Sequence, residues 1–263
     1  MISVILNAFR RTDFLEEQIQ AIKDQSIKVE EILVWCNNDK NLDIKKSPDI
    51  TYCDCNKNFG VWSRFSLALN CKSPFIAIFD DDTFPGKDWF KNCLKTIEEW
   101  NGLLGARGVR FSSGQKYFIG EEFGWNNPNE KVKEVDIVGH AWFFRREWLS
   151  TFWRELPDHD QSSFVGEDIH FSYTLQKYLG LKTYVPPHSK TKIDEWGSNP
   201  DIALRLGTDS NSISYNPIHQ KEMNDAFVHY LDKGFKVNPN VSLRIKGSAK
   251  DLKSKIGKII KKI

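Results

Sequence analysis

The sequence predicts an α/β protein built on one mixed sheet, with a parallel N-terminal half, helices on both of its faces, and an antiparallel C-terminal extension. Three observations carry that expectation. Apolar runs alternate with helix-period segments over the first hundred residues. Three of the runs end abruptly in polar or acidic residues, at Asn7–Arg11, Asn37–Asp39 and Asp80–Asp82. Beyond residue 103 the texture changes, and Leu103–Phe111, Lys116–Ile119 and Lys131–Val138 follow one another as strands with no helix between them.

Taken in order, Ile2–Leu6 reads as a central strand. Thr12 or Asp13 is placed to cap a helix running to about Asp24, with Leu15, Ile19 and Ile22 on one face. Glu31–Trp35 is the second strand, and a weak third lies near Ile50–Cys53. A helix near Val61–Asn70 precedes the stretch Pro74-Phe75-Ile76-Ala77-Ile78-Phe79-Asp80-Asp81-Asp82, which reads as a buried strand running into three carboxylates and closed by Pro85-Gly86. Gly120–Asn129, rich in Gly and Asn, reads as an interruption. Val138–Phe144 is a dense apolar and aromatic run with a glycine where something can approach closely. Gly166-Glu167-Asp168 opens a helix with Phe171, Leu175 and Tyr178 along it, and Leu181–Val185 is a late strand. Residues 189–217 are polar without a clear period and read as a long loop.

Composition is that of a folded domain, with 40% hydrophobic and 13% aromatic residues in 263. Charge is nearly balanced overall, yet residues 242–263 hold eight Lys/Arg against Asp251 alone, a net of +7, which leaves −5 for the remainder of a chain at +2. The organisation expected is a domain over 1–240 and a basic amphipathic tail over 241–263, with Leu252, Ile256, Ile259, Ile260 and Ile263 on one stripe. Such a tail suits either an anionic membrane surface or packing on the domain. A basic excess confined to the tail argues against nucleic acid as a partner. The apolar start without a basic leader reads as a strand, and the five cysteines read as reduced thiols, so the expected location is cytoplasmic, at most peripheral to the membrane.

In parallel sheets, ligands bind beyond the carboxyl ends of the strands. The three polar strand ends are therefore expected to line one crevice. Three adjacent carboxylates repel one another strongly when dry, so a cation belongs with them, and hard divalent ions take oxygen ligands.

The motifs Asn7–Asp13, Val34–Asn38, Asp80-Asp81-Asp82-Thr83, Ile137–Phe144 and Gly166-Glu167-Asp168-Ile169, in that order, resemble a glycosyltransferase of the GT-A fold. The likeness covers about residues 1–200. It is greatest to the exostosin-like N-acetylhexosaminyltransferases, and extends more loosely to inverting family 2 and bacterial capsule transferases. It implies a metal-dependent enzyme that moves a sugar from a nucleotide-sugar, a UDP-sugar by preference, to a glycan or lipid-linked acceptor in surface polysaccharide synthesis.

By that resemblance, Asp82 binds Mn²⁺ or Mg²⁺, with His188 as a further metal ligand. Asp80 contacts the nucleotide, with Asp81 beside it. Arg11, Asn37, Asn38 and Arg64 hold the base, ribose or phosphate, and Gly139 and His140 lie under the donor sugar or acceptor. Asp168 is the catalytic carboxylate facing the anomeric carbon, and Glu167 is the weaker candidate. Each has a plainer reading: Asp168 as a helix-start acid, Asn37 and Asn38 as turn residues, His188 as a loop residue. Trp196, in a polar stretch, is expected to stack on a sugar. The rivals are a nucleotidyltransferase of similar fold and a non-catalytic carbohydrate-binding or scaffold protein.

Overall fold

The computed structural model describes residues 1–9, 11–37, 44–112, 116–117, 119–157, 165–206 and 216–237. The expected tail, its boundary at 240 and Asn38 lie outside them.

Strand β1, Ile2–Ala8, is buried along almost its whole length, as a strand covered on both faces must be. Helix α1, Leu15–Lys23, follows a single 3₁₀ turn, Thr12–Phe14. Its buried face carries Leu15, Ile19 and Ile22 as expected, and also Gln18. Neither Thr12 nor Asp13 caps it; Phe14 stands at the N-cap with no side-chain hydrogen bond. β2, Glu31–Cys36, pairs in parallel with β1, and β3, Thr51–Asp54, pairs in parallel with β2. β3 lies at the sheet edge, and its exposed ends are the polar Thr51 and Asp54.

Helix α2, Ser63–Leu67, continues into a 3₁₀ turn and delivers the chain to β4, Phe75–Phe79, parallel to β1 on its other side. Helix α3, Trp89–Trp100, ends where Asn101 turns left-handed at φ 38°, a conformation asparagine tolerates better than most residues.

The second half inserts antiparallel strands. β5, Leu103–Phe111, pairs with β6, Gly120–Gly124; β7 is Lys133–Val135, and β8, Ile137–Arg145, slots between β4 and β5, antiparallel to both. Helix α4, Leu149–Phe152, helix α5, Glu167–Leu179, and strand β9, Thr183–Val185, complete the pattern, giving the order β3-β2-β1-β4-β8-β5-β9-β7 with β6 beside β5. The four strands β3, β2, β1 and β4 form the parallel half that was expected.

Three expectations need correction. Lys116, Tyr117 and Ile119 are not in a strand; the strand is Gly120–Gly124, whose glycines at both ends allow close approach to the β5 backbone. Gly124 adopts φ +71°, and an added Cβ would meet Ala106 O at 2.1 Å. Lys131–Val138 is not one strand: it divides at Asp136 into β7, which pairs with β9, and the start of β8, which pairs with β5 and carries the aromatic run of 138–144. The stretch 189–217 is not all loop: it contains helix α6, Pro200–Leu206, and leads into helix α7, Pro217–Asp232, which Asn216 caps by accepting from Ile218 N–H. Its apolar residues are too few to show a period, but Asn-Pro is itself a helix-start signal.

Two apolar clusters result. The larger fills both faces of the sheet and includes the stacked pair Phe65–Phe152, with ring centroids 4.6 Å apart. The smaller joins α7 to α5 and β5 through Phe111, Ile137, Ile169, Tyr173, Phe227 and Tyr230. It fixes the first turn of α5 over the carboxyl end of the sheet.

Candidate active site

β1 and β4 are parallel neighbours, so the residues that follow them emerge on the same side. Arg11 Nη1 donates to Asp81 Oδ1 at 2.7 Å and lies 3.9 Å from Asp82 Oδ2. The acidic turn is held from below by Gln18, whose Nε2 donates to Asp80 O at 2.7 Å and Thr83 O at 2.8 Å. A polar residue on the buried face of an otherwise apolar helix was the available signal for Gln18.

Arg64, buried on α2, donates to Asp80 Oδ1 through Nη1 and to Glu167 Oε1 through Nη2, the latter at 2.7 Å. Its guanidinium carbon sits 4.5 Å from the Trp142 ring centroid. One cation thus joins the end of β4 to the start of α5. The charged groups differ accordingly. Burial resists ionisation of Asp82, but the bond with His140, together with Arg11 and Thr83, outweighs it and holds the carboxyl down at about 2. Burial and the adjacent Asp82 push Asp81 up to about 6 despite Arg11. Burial pushes Glu167 up to about 8 against the pull of Arg64. Asp168 is also raised by burial, against hydrogen bonds that favour its charge: Tyr117 O–H donates to Oδ2 at 2.6 Å and Ile169 N–H to Oδ1 at 2.8 Å.

His140 lies on β8 opposite this turn. Its carbonyl accepts from Asp80 N–H at 2.9 Å, and its Nδ1 is 3.4 Å from Asp82 Oδ1. The residue has φ +62°, rare for histidine within a strand, and its ring stacks on Trp125, itself at φ +55°, with centroids 5.0 Å apart. Arg107 Nη1 faces its Nε2 at 3.5 Å. Beside it, a Cβ added at Gly139 would meet no heavy atom within 4 Å among the described residues beyond its own chain neighbours.

Ligand atoms of Asp80, Asp82 and His140 all lie within 4.8 Å of one another. Atoms on opposite sides of an octahedral Mg²⁺ are about 4.2 Å apart, so a small adjustment would let this set close on one ion. Two carboxylates and an imidazole suit Mn²⁺ as well. His188 is not part of the set. It is fully buried between Trp89 and Trp196, with Nδ1 against Pro186 O at 2.8 Å and Nε2 accepting from Gly197 N–H at 3.1 Å. Both nitrogens are therefore occupied by backbone, and burial lowers its pKa to about 4. Trp196 is likewise a core residue, its Nε1 donating to Ser189 O, rather than a sugar platform.

Asn37 stands at the end of β2 but turns inward. Its Oδ1 accepts from Phe59 N–H at 2.7 Å, and its Nδ2 donates to Asn58 Oδ1 and Gly60 O. It shapes the 58–60 loop at the rim. Of the residues that sequence reasoning missed, Arg107 was visible as a charge inside an apolar strand, whereas Tyr117 carried no signal.

A mixed sheet of this order, with an acidic turn past its fourth strand and a carboxylate helix start facing it, has the make-up of a GT-A glycosyltransferase. Residues 3–153 match the model of glycosyl transferase family 2, and the chain belongs to that family. Of the two likenesses expected, the looser is the one the match falls on, and membership sets aside the nucleotidyltransferase and scaffold rivals. No curated protein matches the chain. Among solved structures, residues 1–349 of S. aureus TarS align with a TM-score of 0.48 and 14% identity, over 89% of this chain and 72% of that one. The same protein in complex with UDP-GlcNAc aligns with a TM-score of 0.48 and 15% identity over the same shares. Among the described residues no helix is long and apolar enough to cross a membrane.

Proposed function

We propose that this chain transfers a hexosyl or N-acetylhexosaminyl group from a UDP-sugar to a hydroxyl of a glycan or lipid-linked acceptor in surface polysaccharide synthesis, with Mn²⁺ or Mg²⁺ held by Asp80, Asp82 and His140. The observation that carries the reading is the meeting of those three side chains with Arg11 and Arg64 at the strand ends, facing Asp168. Bound there, a divalent ion would neutralise the charge that gathers on the departing diphosphate. Arg11 offers a guanidinium fork for a phosphate, and the rim that Asn37 shapes would receive the base. Asp168 is the general base: it takes the acceptor hydroxyl proton as that oxygen attacks the anomeric carbon opposite the leaving group, the inverting course. Glu167, bonded to Arg64, orients that cation rather than reacting. A basic amphipathic tail would bring the enzyme to a lipid-linked acceptor.

The test is a thermal-shift panel of UDP, GDP, CDP and dTDP, each with and without Mn²⁺. A ligand at a hundred times its Kd adds about 2.7 kcal/mol, a shift of a few degrees. The expected result is a shift with UDP that requires Mn²⁺ and disappears in Asp82→Ala, while Asp168→Asn keeps the shift and turns over slowly. No shift with any nucleotide would overturn the reading, and a shift indifferent to Mn²⁺ would remove the metal from it.

A further inference from the structure

We propose that Tyr117 is a positioning residue of the transfer reaction, its phenol O–H pinning Asp168 Oδ2 so that the carboxylate meets the acceptor hydroxyl in one orientation. The inference rests on Asp168 being the general base. Ile169 N–H holds Oδ1 at 2.8 Å and Tyr117 holds Oδ2 at 2.6 Å, so the carboxylate is fixed at both oxygens. A carboxylate has about four lone-pair sites, and two donors leave capacity for the incoming hydroxyl.

Tyr117 is itself placed from elsewhere. Its backbone N–H donates to Asn224 Oδ1 of α7 at 3.3 Å, and its ring packs near Phe111 of β5 and Phe227 of α7, with centroids 5.6 and 6.2 Å away. The orientation of Asp168 therefore depends on Tyr117, between β5 and β6, and on α7, a helix late in the chain that packs against α5. Packing alone would be served by a phenylalanine; only the hydroxyl reaches Asp168. Donation to a carboxylate favours its charged form, which a base needs at a site whose burial opposes that charge. The other charged groups around the pair are Glu167 on the same turn, Arg64 from α2 and Arg107 from β5.

The test compares the full chain with its Tyr117→Phe variant, which keeps the ring. With ¹³C-labelled aspartate, the Asp168 carboxyl resonance is identified as the one missing in Asp168→Asn, and its titration is followed by NMR. The expected result is a midpoint about one pH unit higher in Tyr117→Phe, the size of one hydrogen bond to a charged group. A midpoint that does not move overturns the proposal. In Mn²⁺-dependent release of UDP from a panel of UDP-sugars, Tyr117→Phe is expected to lower kcat by about tenfold with donor KM unchanged, and to add no loss in an Asp168→Asn background. The same fractional loss in both backgrounds assigns Tyr117 a merely structural role and also overturns it. Wild-type UDP release by Asp168→Asn is a separate result: it removes the base assignment itself, whatever the titration shows.

Discussion

The surroundings of His140 and of His188 make an instructive pair. Both residues lie beside aromatic side chains, and each touches a tryptophan ring, at 5.0 Å for His140–Trp125 and 5.5 Å for His188–Trp89. His188 has surrendered both nitrogens to backbone groups and sees no solvent. His140 is held in a left-handed conformation that turns it toward Asp82, and it keeps part of its surface open. A strained backbone that aims a side chain at a functional cluster is worth more than proximity in sequence to a strand end. The same chemistry serves the core in one place and the crevice in the other, and the backbone decides which.

The largest effect that would break this contrast lies in the core. Replacing His188 with alanine leaves Gly197 N–H and Pro186 O without their partner and opens a void, so it is expected to cost about 3 kcal/mol or more, read as a fall in the denaturant midpoint. The folded fraction should retain its metal response. A His188→Ala protein of normal stability that has lost that response would reverse the two roles.

The pH dependence comes next. An unfolded histidine titrates near 6.5, while burial pushes His188 in the fold down to about 4. Between those values the unfolded chain binds more protons, so stability is complete above pH 6.5 and falls as pH drops toward 4. The linkage amounts to about 3 kcal/mol. Urea midpoints measured from pH 7 to 4 should show this slope in wild type and a flatter one in His188→Gln; equal slopes would contradict the burial argument.

His140→Ala is expected to act differently, with little change in the thermal midpoint but Mn²⁺ affinity down about tenfold or more, followed by titrating Mn²⁺ in the presence of UDP. Unchanged affinity would return the metal to the carboxylates alone.

How much of this was legible in the chain differs between the two histidines for a physical reason. β1, β2 and β4 were readable because both of their faces are largely buried and their apolar runs are continuous, and Asp80–Asp82 announced itself by breaking such a run. β8 was partly hidden because aromatic residues fill it on both sides, which erases any period. Helices α6 and α7 were hidden because they bury few residues each. The candidate cluster was legible at the strand ends, in Arg11 and Asp82, and at the start of α5, in Asp168. It was not legible where it depends on which way a side chain turns: Asn37 faces its own loop, and Gln18 and Tyr117 reach the site across 62 and 51 residues of sequence.

The open space over Gly139 has a further consequence. Glycine inside a strand forgoes about 0.5–1 kcal/mol relative to alanine, and here the fold gets no room in return, since a methyl group would touch nothing among the described residues beyond its own chain neighbours. Gly139→Ala should therefore leave the empty protein as stable as before or slightly more so, while UDP-sugar binding weakens and binding of UDP alone does not. A substitution that is silent until a sugar arrives acts as a depth gauge, marking how far down into the crevice the transferred group sits.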